Sequence, residues 1–386
     1  MTSKKALRES ITAVVTVAAL AVSGTAVAQA VSLGAPKGID VAAHQHPGGT
    51  PIDWSKVRTD GQSFAFVKAT EGGDWVNPHY VEDIQAANAA GLKTGAYHYA
   101  RPAGDATTQA ANFAAQIALA PDQTLPPALD IEVTEGKSAA QLEQWIEEFT
   151  SELKRLTGRT PMIYTYKYFW MGQMNNSQKF SNMPLWLAAY QDEAPDPVGG
   201  WKNLSFWQRS GSGRVAGIPT DVDLNLFNGS KQQLDSFSSG NYVDVGGALD
   251  SLVVNDGVNL SSDSTPLIGA IFALVAGLIA MPQLADAAQD AGLDAEAAAG
   301  LTSFIKALED EGALPLKQLG KMAVGDFTVG DLALLLENAG HVKGINRGEV
   351  SGSQVEEAKD AAKKAGTGVP DFDAKQVADL LNRVMQ

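Results

Sequence analysis

Between residues 37 and 237, short apolar segments rich in β-forming residues alternate with stretches of helical periodicity. This alternation constrains the fold more than any other feature of the chain, because it is the pattern of βα units that build a parallel sheet or a closed barrel. The eight strand candidates are 38–41, 63–69, 93–99, 127–131, 161–166, 184–189, 204–208 and 222–227.

Helical patterns separate the early strand candidates, at 78–90, 105–119 and 138–156. The last of these begins with a capping Ser138, followed three residues later by Gln141. After the fifth strand candidate the helical signal becomes weak. Eight strands with about five helices predict an α/β, TIM-like barrel whose final segments lack crossover helices, and an open doubly wound sheet is the alternative.

The C-terminal third has a different composition. Residues 238–265 are rich in Ser, Gly, Asn and Asp and predict a linker, whereas 266–386 combine Ala, Leu and acidic residues at helical spacing. A small all-α domain of unknown role is therefore expected there, and a weak echo at a 45-residue offset relates 326–336 to 371–381. The uncharged run 267–281 is shorter than the roughly 20 residues of a membrane span, so a buried helix is predicted and membrane association is the alternative.

The N-terminus has the pattern of a signal peptide over residues 1–30. Lys4, Lys5 and Arg8 precede an apolar stretch, and Ala28-Gln29-Ala30 provides the small residues that signal peptidase requires. A secreted, extracellular or wall-associated protein is expected, and an N-terminal helix retained in the fold is the alternative.

Charge and cysteine content exclude several classes of function. A net charge of −15 disfavours nucleic acid and anionic phospholipid as main partners. The absence of cysteine removes disulfides, thiolate metal sites and a cysteine nucleophile.

The fourth strand candidate ends in two acids that are separated by one residue, Asp130 and Glu132. Side chains alternate along a strand, so both point to one face with α-carbons about 6.6 Å apart. In a parallel barrel this position is the carboxyl end of the strand, where active sites lie. Two carboxylates there can perform glycoside hydrolysis, although the spacing alone equally fits a solvated strand end with capping acids.

Further acids and aromatic residues lie in or just after other strand candidates. Asp40 ends the first strand candidate, Glu71 follows the second, and Asp223 lies in the eighth. Because folding gains nothing from gathering like charges, this repetition favours a site. The nearby aromatic side chains suit a carbohydrate groove, since their faces stack on sugar rings; they include Tyr99, Tyr164, Trp186 and Tyr190. His44, His46, His79 and His98 have no metal-ligand spacing, so no metal is expected.

These segments together resemble the glycoside hydrolase family 25 lysozymes. The resemblance rests on an ordered set of motifs that covers nearly all of residues 37–228: Gly38-Ile39-Asp40-Val41, Ile52-Asp53-Trp54, Phe66-Val67-Lys68-Ala69-Thr70-Glu71-Gly72, Ala90-Gly91-Leu92, Gly95-Ala96-Tyr97-His98-Tyr99, Asp130-Ile131-Glu132, Ile163-Tyr164-Thr165, Leu185-Trp186-Leu187-Ala188 and Val222-Asp223-Leu224-Asn225.

The resemblance implies a (β/α)5β3 barrel over 37–237 and cleavage of the β-1,4 bond between N-acetylmuramic acid and N-acetylglucosamine in peptidoglycan. It implies Glu132 as general acid/base and Asp130 as its assistant, with Asp40 and Asp223 completing the acidic mouth and no metal or organic cofactor. The chain departs from the family at Ala42, where Ser is usual, and in the longer loop 46–51. A catalytically silent wall-binding protein on the same barrel is the competing hypothesis, and wall or membrane association through 266–386 is left open.

Overall fold

The computed structural model describes residues 34–250, 252–254, 260–343 and 372–384, so the predicted signal peptide lies outside the described residues. Nine strands form one sheet: β1 (Lys37–Val41), β2 (Gln62–Glu71), β3 (Trp75–Val76), β4 (Lys93–Tyr99), β5 (Ala128–Asp130), β6 (Met162–Tyr166), β7 (Leu185–Ala188), β8 (Phe206–Gly213) and β9 (Val222–Phe227). All eight strand candidates are confirmed within a few residues. The two-residue β3 was not predicted, because so short a strand leaves no periodic pattern.

The sheet closes into a barrel because β1 pairs with both β2 and β9. This confirms the TIM-like barrel and eliminates the open doubly wound sheet. Six neighbouring pairs are parallel, but β9 runs antiparallel to both β8 and β1. The reversal follows from the chain between β8 and β9, which is too short for the crossover that parallel neighbours require.

Helices cross between the early strands only. They are α1 (Trp54–Thr59), α2 (Tyr80–Ala89), α3 (Ala106–Leu119) and α4 (Ala139–Thr157). A single π-helical turn (Phe169–Gln173) takes the fifth crossover position, and no helix separates β7, β8 and β9. The loss of crossover helices after the fifth strand candidate is therefore as predicted, whereas the short α1 gave no recognisable period.

Aromatic rings fill the barrel. Phe66 stacks on Trp186 with ring centroids 4.5 Å apart and meets Phe206 edge-on at 5.2 Å. A Cβ at Gly38 would lie 2.3 Å from the Phe64 ring, and one at Gly95 would lie 2.5 Å from the Phe66 ring. These two glycines are therefore required so that the rings can lie against the strands.

Beyond the barrel, α5 (Lys231–Phe237) precedes a segment without regular structure over the described part of 238–264. That segment contacts the barrel, because Val254 N donates to Asp192 O across 2.7 Å and Gly246 N donates to Asn228 O, also across 2.7 Å. The C-terminal helices are α6 (Thr265–Val275), α7 (Met281–Asp290), α8 (Ala295–Asp310), α9 (Leu316–Met322), α10 (Val329–Lys343) and α11 (Ala374–Val384). They confirm the predicted helical C-terminal region.

The apolar run 267–281 does not form one helix. Helix α6 ends at Val275, and Gly277 adopts a left-handed φ of 69° before α7 begins at Met281. The side chains from Leu267 to Ala273 are buried. Among the residues that the structure describes, no helix is long and apolar enough to cross a membrane.

The two segments with similar sequences, 326–336 and 371–381, each contain the start of a capped helix. Thr328 and Asp331 exchange capping hydrogen bonds of 3.2 and 3.0 Å at the start of α10, and Asp373 and Gln376 do so at the start of α11. Phe327 and Phe372 lie just before these two helices. Asp371, the first residue of the second echo, lies outside the described residues.

Candidate active site

One groove of about 870 Å³ at the mouth of the barrel brings the nine predicted site residues together. They are Asp40, Glu71, Tyr99, Asp130, Glu132, Tyr164, Trp186, Tyr190 and Asp223. Most lie at or just after the carboxyl ends of parallel strands, which share one rim of the barrel. Asp223 reaches the same rim because β9 is antiparallel, so its beginning lies beside the end of β1, where Asp223 is opposite Asp40.

Asp130 and Glu132 lie at the bottom of this groove and are both buried. Their carboxyl groups lie within hydrogen-bonding reach of each other, and a hydrogen bond between two carboxyls requires that one of them keeps a proton. Burial raises the pKa of Glu132 to about 7, and burial together with the charge of Glu132 raises the pKa of Asp130 well above its ordinary value. The pair therefore titrates as a unit and holds a proton near neutral pH.

Asp40 and Asp223 form a second pair of acids, across strands β1 and β9, in which Asp40 is buried and Asp223 is half-buried. Oδ2 of Asp40 accepts hydrogen bonds from Asn225 Nδ2 at 2.7 Å and from Gln208 Nε2 at 3.1 Å. Burial raises the pKa of both carboxyls, and the neighbouring Asp40 charge raises that of Asp223 further. Ionisation of both Asp40 and Asp223 at the same time is therefore unfavourable.

Aromatic residues form the walls. Tyr164 donates to Gln208 Oε1 across 2.8 Å, and Trp186 donates from Nε1 to Asn225 Oδ1 across 2.8 Å. Gln208 and Asn225, which accept these hydrogen bonds, also donate to Asp40. The aromatic side chains and Asp40 therefore hold each other in position. Trp75 stands at the edge of the groove with 39% of its surface exposed, which suits stacking on a sugar ring.

Glu71 lies among basic side chains rather than beside Asp130 and Glu132. Its carboxylate contacts Lys68 Nζ at 2.6 Å, Arg101 at 2.7 Å and His341 Nε2 at 3.2 Å. Burial alone would raise the pKa of Glu71, but the hydrogen bond from His341 and the charge of Lys68 outweigh it and hold that pKa well below the usual range. Glu71 is therefore ionised, holds Lys68 in an ion pair and is unsuited to donate a proton.

The N-terminal histidines are spread over separate places. His98 is buried between Thr70 and Gln109 at 2.8 and 3.0 Å. In the long loop after β1, His46 contacts Asp83 at 2.8 Å and stacks on His79 with ring centroids 3.9 Å apart, and His44 lines the groove. Over the described ranges, no group of three His, Asp or Glu side chains could hold a metal ion.

Several groove residues were not predicted. Gln208 of strand β8 lines the groove. Asn225 of strand β9 supports the groove through hydrogen bonds to Asp40 and Trp186. Their positions, directly after Trp207 and two residues after Asp223, could have suggested both. Five more come from the C-terminal helices and had no signal, because nothing in the sequence showed that this region reaches the barrel mouth: Phe304, Leu334, Glu337, Asn338 and His341.

A pair of buried carboxyls between aromatic walls at the mouth of a closed barrel, with a second pair of acids beside it, is the arrangement of a glycoside hydrolase. Comparisons with known proteins define the class further. The family model described as glycosyl hydrolases family 25 matches residues 39–218.

Individual relatives agree with that match. Lysozyme M1 from Streptomyces globisporus is 39% identical over 210 residues, which cover 51% of this chain and 69% of the relative. The N,O-diacetylmuramidase from Chalaropsis sp is 32% identical over 219 residues, which cover 53% of this chain and 99% of the relative. Among solved structures, the bacterial lysozyme from Streptomyces coelicolor is 34% identical with a TM-score of 0.49, covering 54% of this chain and 99% of that one.

The chain belongs to glycosyl hydrolase family 25. It is therefore a glycoside hydrolase of the muramidase type, whose substrate is peptidoglycan.

Proposed function

We propose that this enzyme is secreted and cleaves the β-1,4 bond between N-acetylmuramic acid and N-acetylglucosamine, with Glu132 as general acid/base and Asp130 as its assistant. The observation that carries the proposal is the hydrogen-bonded, buried pair Asp130 and Glu132 at the bottom of an aromatic groove. Such a pair keeps the proton that the general acid must donate to the leaving oxygen.

In the first step, the proton on Glu132 passes to the glycosidic oxygen while the bond from that oxygen to the anomeric carbon breaks. The electron pair of the bond stays on the departing sugar oxygen, and positive charge develops at the anomeric carbon. Oδ1 of Asp130 is buried without a hydrogen-bond donor among the described residues, and in this proposal it accepts one from the N–H of the substrate's 2-acetamido group once the glycan is bound. That bond orients the acetamido oxygen towards the anomeric carbon.

As the glycosidic bond breaks in the first step, the acetamido oxygen bonds to the anomeric carbon. In the second step, Glu132 takes a proton from water as the water oxygen bonds to the anomeric carbon, and the bond from the acetamido oxygen to that carbon breaks, which restores the acetamido group. The carboxyl group thereby regains the proton it gave up. A direct attack by water from the opposite face needs carboxyls about 6.5–9.5 Å apart, with the water between them. Asp130 and Glu132 hydrogen-bond directly, so this pair favours retention through the acetamido group.

For the chain as a whole, we assign residues 37–237 to the catalytic barrel, 238–265 to the connection and 266–386 to a helical region. Residues 1–30 direct secretion in this proposal, which places the barrel outside the cell where peptidoglycan lies. Expression of the full chain with fractionation of cells and medium tests this assignment. Protein that stays in the cytoplasm with residues 1–30 intact would contradict it.

The catalytic assignment is tested by measuring reducing ends released from purified cell walls. We expect Glu132→Gln to lower the initial rate by at least about 100-fold, because general acid catalysis contributes roughly 10²–10⁴. Glu152→Gln on the outer side of α4 is the matched control and should leave the rate unchanged, since Glu152 forms an ion pair with Arg155 on the same helix, away from the groove. Equal rates for wild type and Glu132→Gln would refute the role of Glu132.

A further inference from the structure

Helix α10 of the C-terminal region lies directly against the proposed acid. Asn338 Nδ2 donates to Glu132 Oε2 across 2.9 Å, and the Tyr99 hydroxyl donates to Asn338 Oδ1 across 3.1 Å. Both hydrogen bonds are buried. One side-chain amide from outside the family-matched residues thus contacts two groove residues at once.

The same helix contacts the rim of the groove at both of its ends. Near its C-terminus, His341 contacts Glu71 at 3.2 Å, and its ring lies 4.6 Å from the ring of Tyr99. Near its N-terminus, a Cβ on Gly330 would lie only 1.7 Å from the carbonyl oxygen of Tyr190. Only glycine permits this approach, so α10 lies closely on the barrel along its length.

In this position α10 opposes the proposed reaction. The acid must present a protonated oxygen to the glycosidic oxygen, but Asn338 donates an N–H to an oxygen of Glu132 and so favours the ionised carboxylate. A glycan chain also extends on both sides of the bond that is cut. It cannot reach Glu132 while Asn338 lies there.

The amide of Asn338 also resembles part of the substrate. An acetamido group offers one N–H donor and one carbonyl acceptor, and Asn338 uses those two functions on Glu132 and Tyr99. The side chain therefore satisfies groups in the groove that an acetamido sugar could otherwise satisfy.

We infer that α10 is an intramolecular competitive inhibitor, with the carboxamide of Asn338 occupying the place of a substrate acetamido group. The inference rests on the proposed function of Glu132. Around Glu132, Tyr99 and Glu71, helix α10 makes three hydrogen bonds through the side chains of Asn338 and His341 and one ring contact. Relative motion is the default expectation between regions of a chain that are joined by polar contacts. The groove therefore exchanges between a closed state, with α10 bound, and an open state that accepts glycan.

The test uses the full chain with Asn338→Ala, which removes both hydrogen bonds and keeps a good helix former. Initial rates are measured on a soluble tetrasaccharide of alternating N-acetylglucosamine and N-acetylmuramic acid. Calorimetry measures the Kd of the disaccharide N-acetylglucosaminyl-β-1,4-N-acetylmuramic acid, which lacks the bond that is cut. Val342→Ala, at an exposed position of the same helix, is the matched control.

We expect Asn338→Ala to lower KM and the disaccharide Kd by about tenfold, with kcat unchanged, because the affinity of a partly closed site is reduced by the open fraction. Asn338→Asp places a second carboxylate against Glu132 and should have the same effect by repelling α10. Val342→Ala should change neither constant.

A lower kcat in Asn338→Ala, or unchanged KM and Kd, would overturn the inference and make α10 a permanent wall of the groove. If Kd falls in Asn338→Ala but none of these proteins cleaves the tetrasaccharide, the inhibitory contact stands and the proposed function fails. If the wild type cleaves in a Glu132-dependent way but Kd does not change, the proposed function stands and the inhibitory contact fails.

Discussion

Asn225 connects Asp40 to Trp186 in the wall of the groove. Its Nδ2 donates a hydrogen bond to Oδ2 of Asp40 across 2.7 Å, and its Oδ1 accepts one from the indole N–H of Trp186. Asn225→Ala would leave a buried carboxyl with one donor fewer and an indole N–H without its acceptor. We expect a loss of about 1–3 kcal/mol in the free energy of unfolding and a lower kcat. Thermal unfolding and initial rates measure both effects. Asn241→Ala at an exposed position is the control, and equal effects of the two substitutions would contradict the proposed role of Asn225.

The pH profile of kcat/KM should fall on its alkaline side with an apparent pKa of about 7. Burial raises the pKa of Glu132 to that value, and the nearby charges of Glu337 and Asp40 act in the same direction. The general acid must be protonated, so the rate decreases as the pair Asp130–Glu132 loses its proton. In Asn338→Ala this limb should move to higher pH, since the variant lacks a donor that favours ionised Glu132. A rate that stays constant up to pH 9 would argue against Glu132 as the acid.

Asp130→Asn should stabilise the fold at alkaline pH while reducing activity. The folded-state pKa of Asp130 lies well above its unfolded value, so the folded state binds the proton more strongly than the unfolded state does. Its contribution to stability is fully present below about pH 4 and is lost as the pH rises through the folded-state pKa. The variant does not titrate at this position, so its Tm relative to wild type should increase from pH 4 to pH 8, by roughly 3 °C or more.

Thermal unfolding at the two pH values measures this difference, with Asp196→Asn as an exposed control. A Tm difference for Asp130→Asn that is the same at pH 4 and pH 8 would mean that Asp130 ionises normally in the folded protein.

The product should keep the β configuration at its new reducing end. Asp130 and Glu132 lie too close together for a water to attack from between them, which favours the substrate's acetamido group as the internal nucleophile. Proton NMR of a soluble glycan during the first minutes of cleavage distinguishes the anomers before they equilibrate. An α-anomer as the first product would indicate inversion and would refute this route.

The barrel could be predicted from sequence because each of its parts has a local signal. The strands are visible as apolar runs, and acids such as Asp130 and Asp40 lie where these runs end. Because the carboxyl ends of parallel strands share one rim of a barrel, the position of the groove follows from the topology. The antiparallel direction of β9 had no such signal. The sequence around Asp223 specifies a strand, and only the pairing with β1 decides its direction.

The contact between Asn338 and Glu132 could not be predicted, since the two residues are 206 positions apart and join two regions with unrelated sequence patterns. The same holds for His341 and Glu71. Long-range docking of a helical region on a barrel depends on surface shape and on a few polar pairs, and neither leaves a periodic pattern in the sequence. A close approach such as that of Gly330 to Tyr190 is likewise visible only in three dimensions.

The central claim is most directly tested by identifying the sugar at the reducing ends that the enzyme creates. Purified peptidoglycan is digested, the new ends are reduced with borohydride, and the sugar alcohols are separated after acid hydrolysis. Cleavage at the proposed bond predicts muramitol as the product, and its release should be lost in Glu132→Gln and kept in Glu152→Gln. Glucosaminitol as the main product, or the same amount of muramitol from Glu132→Gln as from wild type, would contradict the account.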